Sequence, residues 1–128
     1  MQTTRVCSVS DLHPGLYRQL EKWIRNDDPV QYCVEGTFTD SKGEQLRTAI
    51  VLTLSTVLYA TVEHSGGGYA VNRKYIEIQK VEETTSPSGK YHYIRITVLG
   101  TQDSIRFDFL TIDEVHSFAN ILRRLARL

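Results

Sequence analysis

The stretch from Leu110 to Leu128 constrains the fold more than any other part of this chain, because it reads as one amphipathic helix at the end of a long series of strand-like segments. Val115, Phe118, Leu122 and Leu125 recur at helical spacing, with Ala119 and Ala126 beside them. Thr111 followed three residues later by Glu114 has the spacing of a capping box, and Leu110 and Val115 are placed for a hydrophobic staple. Arg123, Arg124 and Arg127 fill the final turns, where cations complement the helix dipole. A mainly β chain that closes on such a helix has few architectures open to it.

Upstream the pattern is helix, then strands. Residues 1–10 are polar and are expected to be a flexible lead-in to a single domain over 11–128. A helix over 11–27 is predicted from Pro14 in its first turn and from Leu16, Leu20, Trp23 and Ile24 on one face. Asn26-Asp27-Asp28-Pro29 ends it, since the residue before proline is driven out of the α region. From Val30 the period becomes two: Val30, Tyr32, Val34 and Phe38 alternate with Gln31, Cys33, Glu35 and Thr37. Further strands are predicted at Leu46–Thr53, Thr56–Val62, Tyr69–Val71, Tyr75–Glu82, Tyr91–Leu99 and Ile105–Phe109. The centre Ala49-Ile50-Val51-Leu52 reads as buried on both faces. Hairpin-length links imply antiparallel pairing. The sum is a bent seven-stranded antiparallel sheet or partial barrel over 30–110, capped by the helix over 111–128. A profilin-like layout, with both terminal helices on one face of a sheet, is the rival arrangement.

Two stretches carry a family resemblance: Ile50-Val51-Leu52-Thr53 leading into Val57-Leu58-Tyr59, and the ending from Ile105 through Thr111 to Leu122. Strands followed by a small polar cap and a Phe- and Leu-bearing helix resemble the pleckstrin-homology superfamily, which includes phosphotyrosine-binding and GRAM domains. The resemblance spans about residues 30–128. The helix before it resembles an addition that some bacterial PH-like and GRAM-like domains carry. The resemblance implies a binding module, not an enzyme, that docks phosphoinositides, peptides or other domains. Lipid-binding members carry several basic residues around the first hairpin. Here that hairpin offers Lys42 and Arg47 beside Asp40 and Glu44.

Charge and composition narrow the function further. Fifteen basic residues balance fifteen acidic ones, so the chain has no broad positive field and no nucleic-acid partner is expected. Any anion site is a local patch, and its candidate residues are Lys42, Arg47, Arg73, Lys74 and Lys90. Tyr91 and Tyr93 share one strand face while Ile94 and Ile96 share the other, which makes the tyrosines candidates for docking a protein. His13, His64, His92 and His116 lack metal-ligand spacing, so neither a metal nor a cofactor is expected. Gly66-Gly67-Gly68 is followed by neither a Lys-Ser/Thr pair nor a helix, so it reads as a turn and not a phosphate loop. No catalytic motif is present, and no catalytic residue is assigned. Cys7 and Cys33 are too few for a disulfide framework and read as reduced thiols of a cytoplasmic protein.

The leading expectation is therefore a protein-interaction module of unidentified partner, with self-association as a homodimer among the options. The first alternative is a module peripheral to a membrane, binding anionic phospholipid or phosphoinositide headgroups. The second is a small enzyme or ligand carrier with a barrel cavity.

Overall fold

The computed structural model describes residues 3–39, 42–63, 66–90, 92–100, 104–109 and 111–128. The chain divides into two compact units, Met1–Asn72 and Arg73–Leu128.

The first unit is a helix on a sheet. Its strands are β1 (Thr3–Val6), β2 (Val30–Thr39), β3 (Gln45–Thr53), β4 (Thr56–Glu63) and β5 (Gly68–Lys74), in the spatial order of the sequence. The last two residues of β5 already belong to the second unit. Ala49, Ile50, Val51 and Leu52 are fully buried, as their continuous apolar run predicts. The turn from β3 to β4 is tied down by Asp28, which accepts hydrogen bonds from Thr53 Oγ1 (2.8 Å), Ser55 N (3.1 Å) and Ser55 Oγ (2.6 Å).

Helix α1 (Pro14–Leu20) is shorter than the predicted 11–27 at both ends. Pro14 keeps His13 out of the α region (φ −50°, ψ 134°), so the helix cannot begin earlier. His13 Nδ1 caps the helix by accepting from Gly15 N at 3.1 Å. At its end the chain tightens into a 3-10 turn, Glu21–Trp23, a common ending for α-helices. Leu16 and Leu20 pack with Leu12 onto Cys33, Ala49, Val51, Leu58 and Ala60, and Trp23 and Ile24 cover the rim of that cluster.

Residues 1–10, read as a flexible lead-in, contain instead the edge strand β1 and the start of a 3-10 turn, Val9–Asp11. The reason is a buried acid. Glu35 on β2 is only 5% exposed, and it lies opposite Arg5 in the β1–β2 register. Glu35 Oε2 accepts from Arg5 Nε (3.0 Å) and Nη2 (2.7 Å), while Oε1 accepts from His13 N (2.7 Å). Arg5 Nη2 also donates to the Asp11 carbonyl at 2.7 Å. The polar sequence of β1 shows no alternation because its attachment is a ladder and an ion pair.

The second unit opens on a 3-10 turn, Tyr75–Glu77, and continues through β6 (Ile78–Thr85), β7 (His92–Val98), β8 (Ser104–Phe109) and α2 (Ile112–Ala126). The three strands form their own antiparallel sheet. The described strands thus form two antiparallel sheets, of five and three strands, where one seven-stranded sheet is expected, and they close no barrel. The predicted strand at Tyr75–Glu82 begins only at Ile78, because the 3-10 turn takes its first residues out of ladder geometry. The profilin-like rival falls with this, since α1 packs on β3 and β4 whereas α2 packs on β6, β7 and β8.

Inside this unit Ile94, Ile96, Val98, Ile105, Phe107 and Phe109 are buried, as are Val115, Phe118, Ala119 and Leu122 of α2. The Phe109 and Phe118 rings lie 5.4 Å apart. Thr111 caps α2 as its sequence predicts, its Oγ1 accepting from Glu114 N at 3.2 Å. Arg127 ends the helix in the left-handed region (φ 58°), and Leu128 N donates to the Arg123 carbonyl at 2.9 Å. The Leu110 half of the predicted staple lies outside the described residues.

The helix-on-sheet core should be the main source of stability in the first unit. Leu20→Ala is expected to cost about 2–5 kcal/mol in chemical denaturation. Arg18→Ala, on the exposed side of α1, should cost no more than about 0.5 kcal/mol.

Candidate functional site

The second sheet turns one face to α2 and the other away from it. Alternation along β7 sends Ile94, Ile96 and Val98 toward the core, so Tyr93, Arg95 and Thr97 point the opposite way. On β8 the same rule turns Arg106 and Asp108 outward between Ile105, Phe107 and Phe109. The register sets Tyr93 opposite Thr84 and Asp108, and Arg95 opposite Glu82 and Arg106.

Two guanidinium groups directly opposite each other on a sheet repel. Here both lie against the ring of Tyr93. The Arg106 guanidinium stands 3.9 Å from the Tyr93 ring centroid and that of Arg95 5.6 Å, both within cation–π range. Arg106 Nε also donates to Asp108 Oδ1 at 2.8 Å. On β6, Lys80 lies 3.7 Å from Glu82 of the same strand. Lys80, Arg95 and Arg106 against Glu82 and Asp108 leave this face with an excess of positive charge. It presents an amphipathic ring flanked by planar donors. Arg95 and Arg106 were not among the residues singled out from sequence. Alternation puts each on an outward face, but only the register brings them together.

Of the other predicted site residues, Lys42 and Arg47 belong to the first unit and Arg73, Lys74 and Lys90 to the second. Tyr91 lies outside the described residues. Lys42 is exposed in the β2–β3 link, and Arg47 is half-buried on β3, opposite Thr37 and Val62. Arg47 lines a cleft of about 240 Å³ with His13, Gln45, Val62, Glu63 and Gly66. Arg73 and Lys74 precede β6, and Lys90 follows it. The eight residues of β6 extend about 25 Å, so Lys90 is held at the far end from Arg73 and Lys74.

At the Lys74 end lies a second surface feature. Leu99 N donates to the Glu77 carbonyl at 2.7 Å, which joins the 3-10 turn to the end of β7. Ile76 on that turn is 88% exposed and Leu99 is 59% exposed. Neither is a candidate site residue from sequence, because alternation assigns Ile76 to a predicted strand and Leu99 to the end of another, and each sits just outside a regular element.

The helix behind the sheet is fastened through Glu83. Its Oε2 accepts from Arg123 Nη1 at 2.7 Å, and its Oε1 pairs with His116 Nδ1. Arg123 Nη2 donates to the Val81 carbonyl at 3.1 Å. Partial burial pushes the Glu83 carboxyl up, but hydrogen bonds from Arg123 and His116 outweigh it and hold the group below its ordinary value of 4.5. Among the described residues no group of three or more His, Cys, Asp or Glu is placed to hold a metal ion. No described helix is long and apolar enough to cross a membrane. Comparison with known protein families, with characterised proteins and with solved structures finds no match.

The Glu83 cluster predicts an acid-sensitive α2. A carboxyl whose value is depressed by folding contributes its full stability above its unfolded value and loses it as pH falls through the folded one. Glu83→Gln should therefore reduce stability near neutral pH and flatten the acid limb of a plot of denaturation midpoint against pH. An acid limb as steep as that of the wild type would refute the assignment.

Proposed function

We propose that this chain is a non-catalytic binding module of pleckstrin-homology-like build, and that it docks a protein partner on the β6–β8 face turned away from α2. The observation that carries the reading is a half-exposed Tyr93 with the guanidinium groups of Arg95 and Arg106 within cation–π range of its ring. Tyrosine and arginine are the residue types over-represented among interface hot spots. The ring supplies apolar area at low entropic cost, and the guanidinium donors match carboxylates in fork geometry. The excess positive charge commits the partner to an extended segment carrying acidic side chains beside an apolar one. The pleckstrin-homology-like build is supported by the order of elements: β2–β5 in one sheet, β6–β8 in another, and a single helix after the last strand.

The test uses two labelled peptides, one alternating Glu with Phe and one alternating Lys with Phe, titrated against the full chain by fluorescence anisotropy. The acidic peptide should bind more tightly, and Tyr93→Ala should weaken it at least about tenfold. Arg95→Glu/Arg106→Glu should reverse the preference. Equal affinity for both peptides, or indifference to these substitutions, overturns the reading.

A second reading, attachment to an anionic membrane surface, is favoured by the exposed pair Ile76 and Leu99 beside exposed Lys74. Aliphatic insertion is worth about 25 cal/mol per Å² buried, and a basic residue near an anionic surface adds about 1 kcal/mol. On this reading the chain sediments with phosphatidylserine vesicles and not with neutral ones, and Ile76→Asp abolishes the effect. Equal recovery in both pellets would sink it.

A further inference from the structure

The two cysteines, far apart in sequence, are neighbours in the sheet. Val6 on β1 lies opposite Val34 on β2, and the next residue continues the ladder, with Cys7 N donating to the Cys33 carbonyl at 3.1 Å. Residues opposed in this way have Cα atoms roughly 5.5 Å apart, inside the range of about 4.4–6.8 Å that a disulfide spans. Both side chains point to the α1 side of the sheet, and their sulfurs stand 3.8 Å apart. Both are free thiols. Cys33 is 3% exposed beneath Leu12, Leu16 and Leu20, whereas Cys7 is half-buried at the rim. One sulfur is therefore reachable from solvent, and the other is positioned behind it.

We infer that Cys7 and Cys33 are an oxidation site, at which a small-molecule disulfide or a peroxide produces an intramolecular disulfide that fastens β1 to β2. With a small disulfide, the Cys7 thiolate attacks one of its sulfurs, a new S–S bond forms, and one small thiol leaves. Cys33 then loses its proton and attacks Cys7 Sγ, which breaks the mixed disulfide and releases the second small thiol. The cysteines give up two electrons and two protons, and the oxidant takes them up as two thiols. With hydrogen peroxide the intermediate is the Cys7 sulfenic acid, and the second step releases water.

The surroundings set the conditions. Burial raises both thiols above their ordinary values, the Glu35 carboxylate adds to this, and the Arg5 cation opposes it. Asp11 also raises Cys7. Thiolate is scarce near neutral pH, so the pair stays reduced under mild conditions and closes faster in alkali. In the reduced chain β1 is held by non-covalent contacts, among them the ladder and the Arg5–Glu35 ion pair. The oxidised chain adds a covalent clip, and β1 can no longer leave the edge of β2. This inference is independent of the docking face proposed above.

The test is incubation of the full chain with oxidised glutathione, folded and in denaturant, at neutral and mildly alkaline pH. The products are read by intact mass, non-reducing peptide mapping and thermal unfolding. The folded chain should lose two hydrogens, yield a Cys7–Cys33 linked peptide without retained glutathione, and close faster at the higher pH. Its unfolding midpoint should rise by about 5 °C or more and return on reduction. Cys33→Ser should instead accumulate glutathione on Cys7. If that variant does not fold, Cys7→Ser serves, and it should resist modification of the buried Cys33 until denatured. Stable glutathione on Cys7 of the folded wild type, or a link that forms only in denaturant, overturns the inference.

Discussion

The first unit depends on the carboxylate of Glu35. A charge removed from water is costly unless it is paired and hydrogen-bonded. Glu35 meets that demand with a guanidinium from β1 and the backbone N–H that precedes α1. One side chain thereby sets three elements against one another: the edge strand, the strand beside it and the entry to the helix. The entry of α1 is held by this tie, and apolar packing seats the helix over Ala49, Val51, Leu58 and Ala60. Cys7 and Cys33 lie two residues further along the same ladder from Arg5 and Glu35.

The second unit uses the same device at a more exposed site. Glu83 on β6 accepts an arginine and pairs with a histidine, both from α2, while the arginine also reaches the Val81 carbonyl. The greater part of the attachment is apolar, through Val115, Phe118, Ala119 and Leu122. On the other side of the sheet, Arg95 opposite Arg106 is a local conflict. A sequence built only for stability would place opposite charges there. Conflicts of this kind concentrate where a surface is used for something else, which fits a docking role for the Tyr93 face.

Hydrophobic period made most of the elements legible. The seven strands from Val30 onward, the buried run Ala49–Leu52 and the Thr111 cap all depend on residues close together in the chain, and all are found. Part of what was misread depends on residues far apart. Polar β1 looks loose until Glu35 lies opposite Arg5. The 3-10 turn at Tyr75–Glu77 carries a strand-like sequence, and it separates two sheets where a single bent one is expected. Of the candidate site residues, Tyr93 is at the centre of the docking face proposed here, whereas the basic residues are distributed over separate loops and strand ends.

By itself, the sequence determined the strands from Val30 onward, the two α-helices and which face of each is apolar, because those properties follow from side-chain period and local capping. Tertiary structure alone decided which polar side chains meet: Arg5 with Glu35, Glu83 with Arg123, Tyr93 with two arginines, and Cys7 with Cys33. Those pairings are set by strand register and helix docking, and each joins residues whose separation along the chain carries no signal of contact. The candidate functions reside in these meetings, so they became visible only once the ladders were in place.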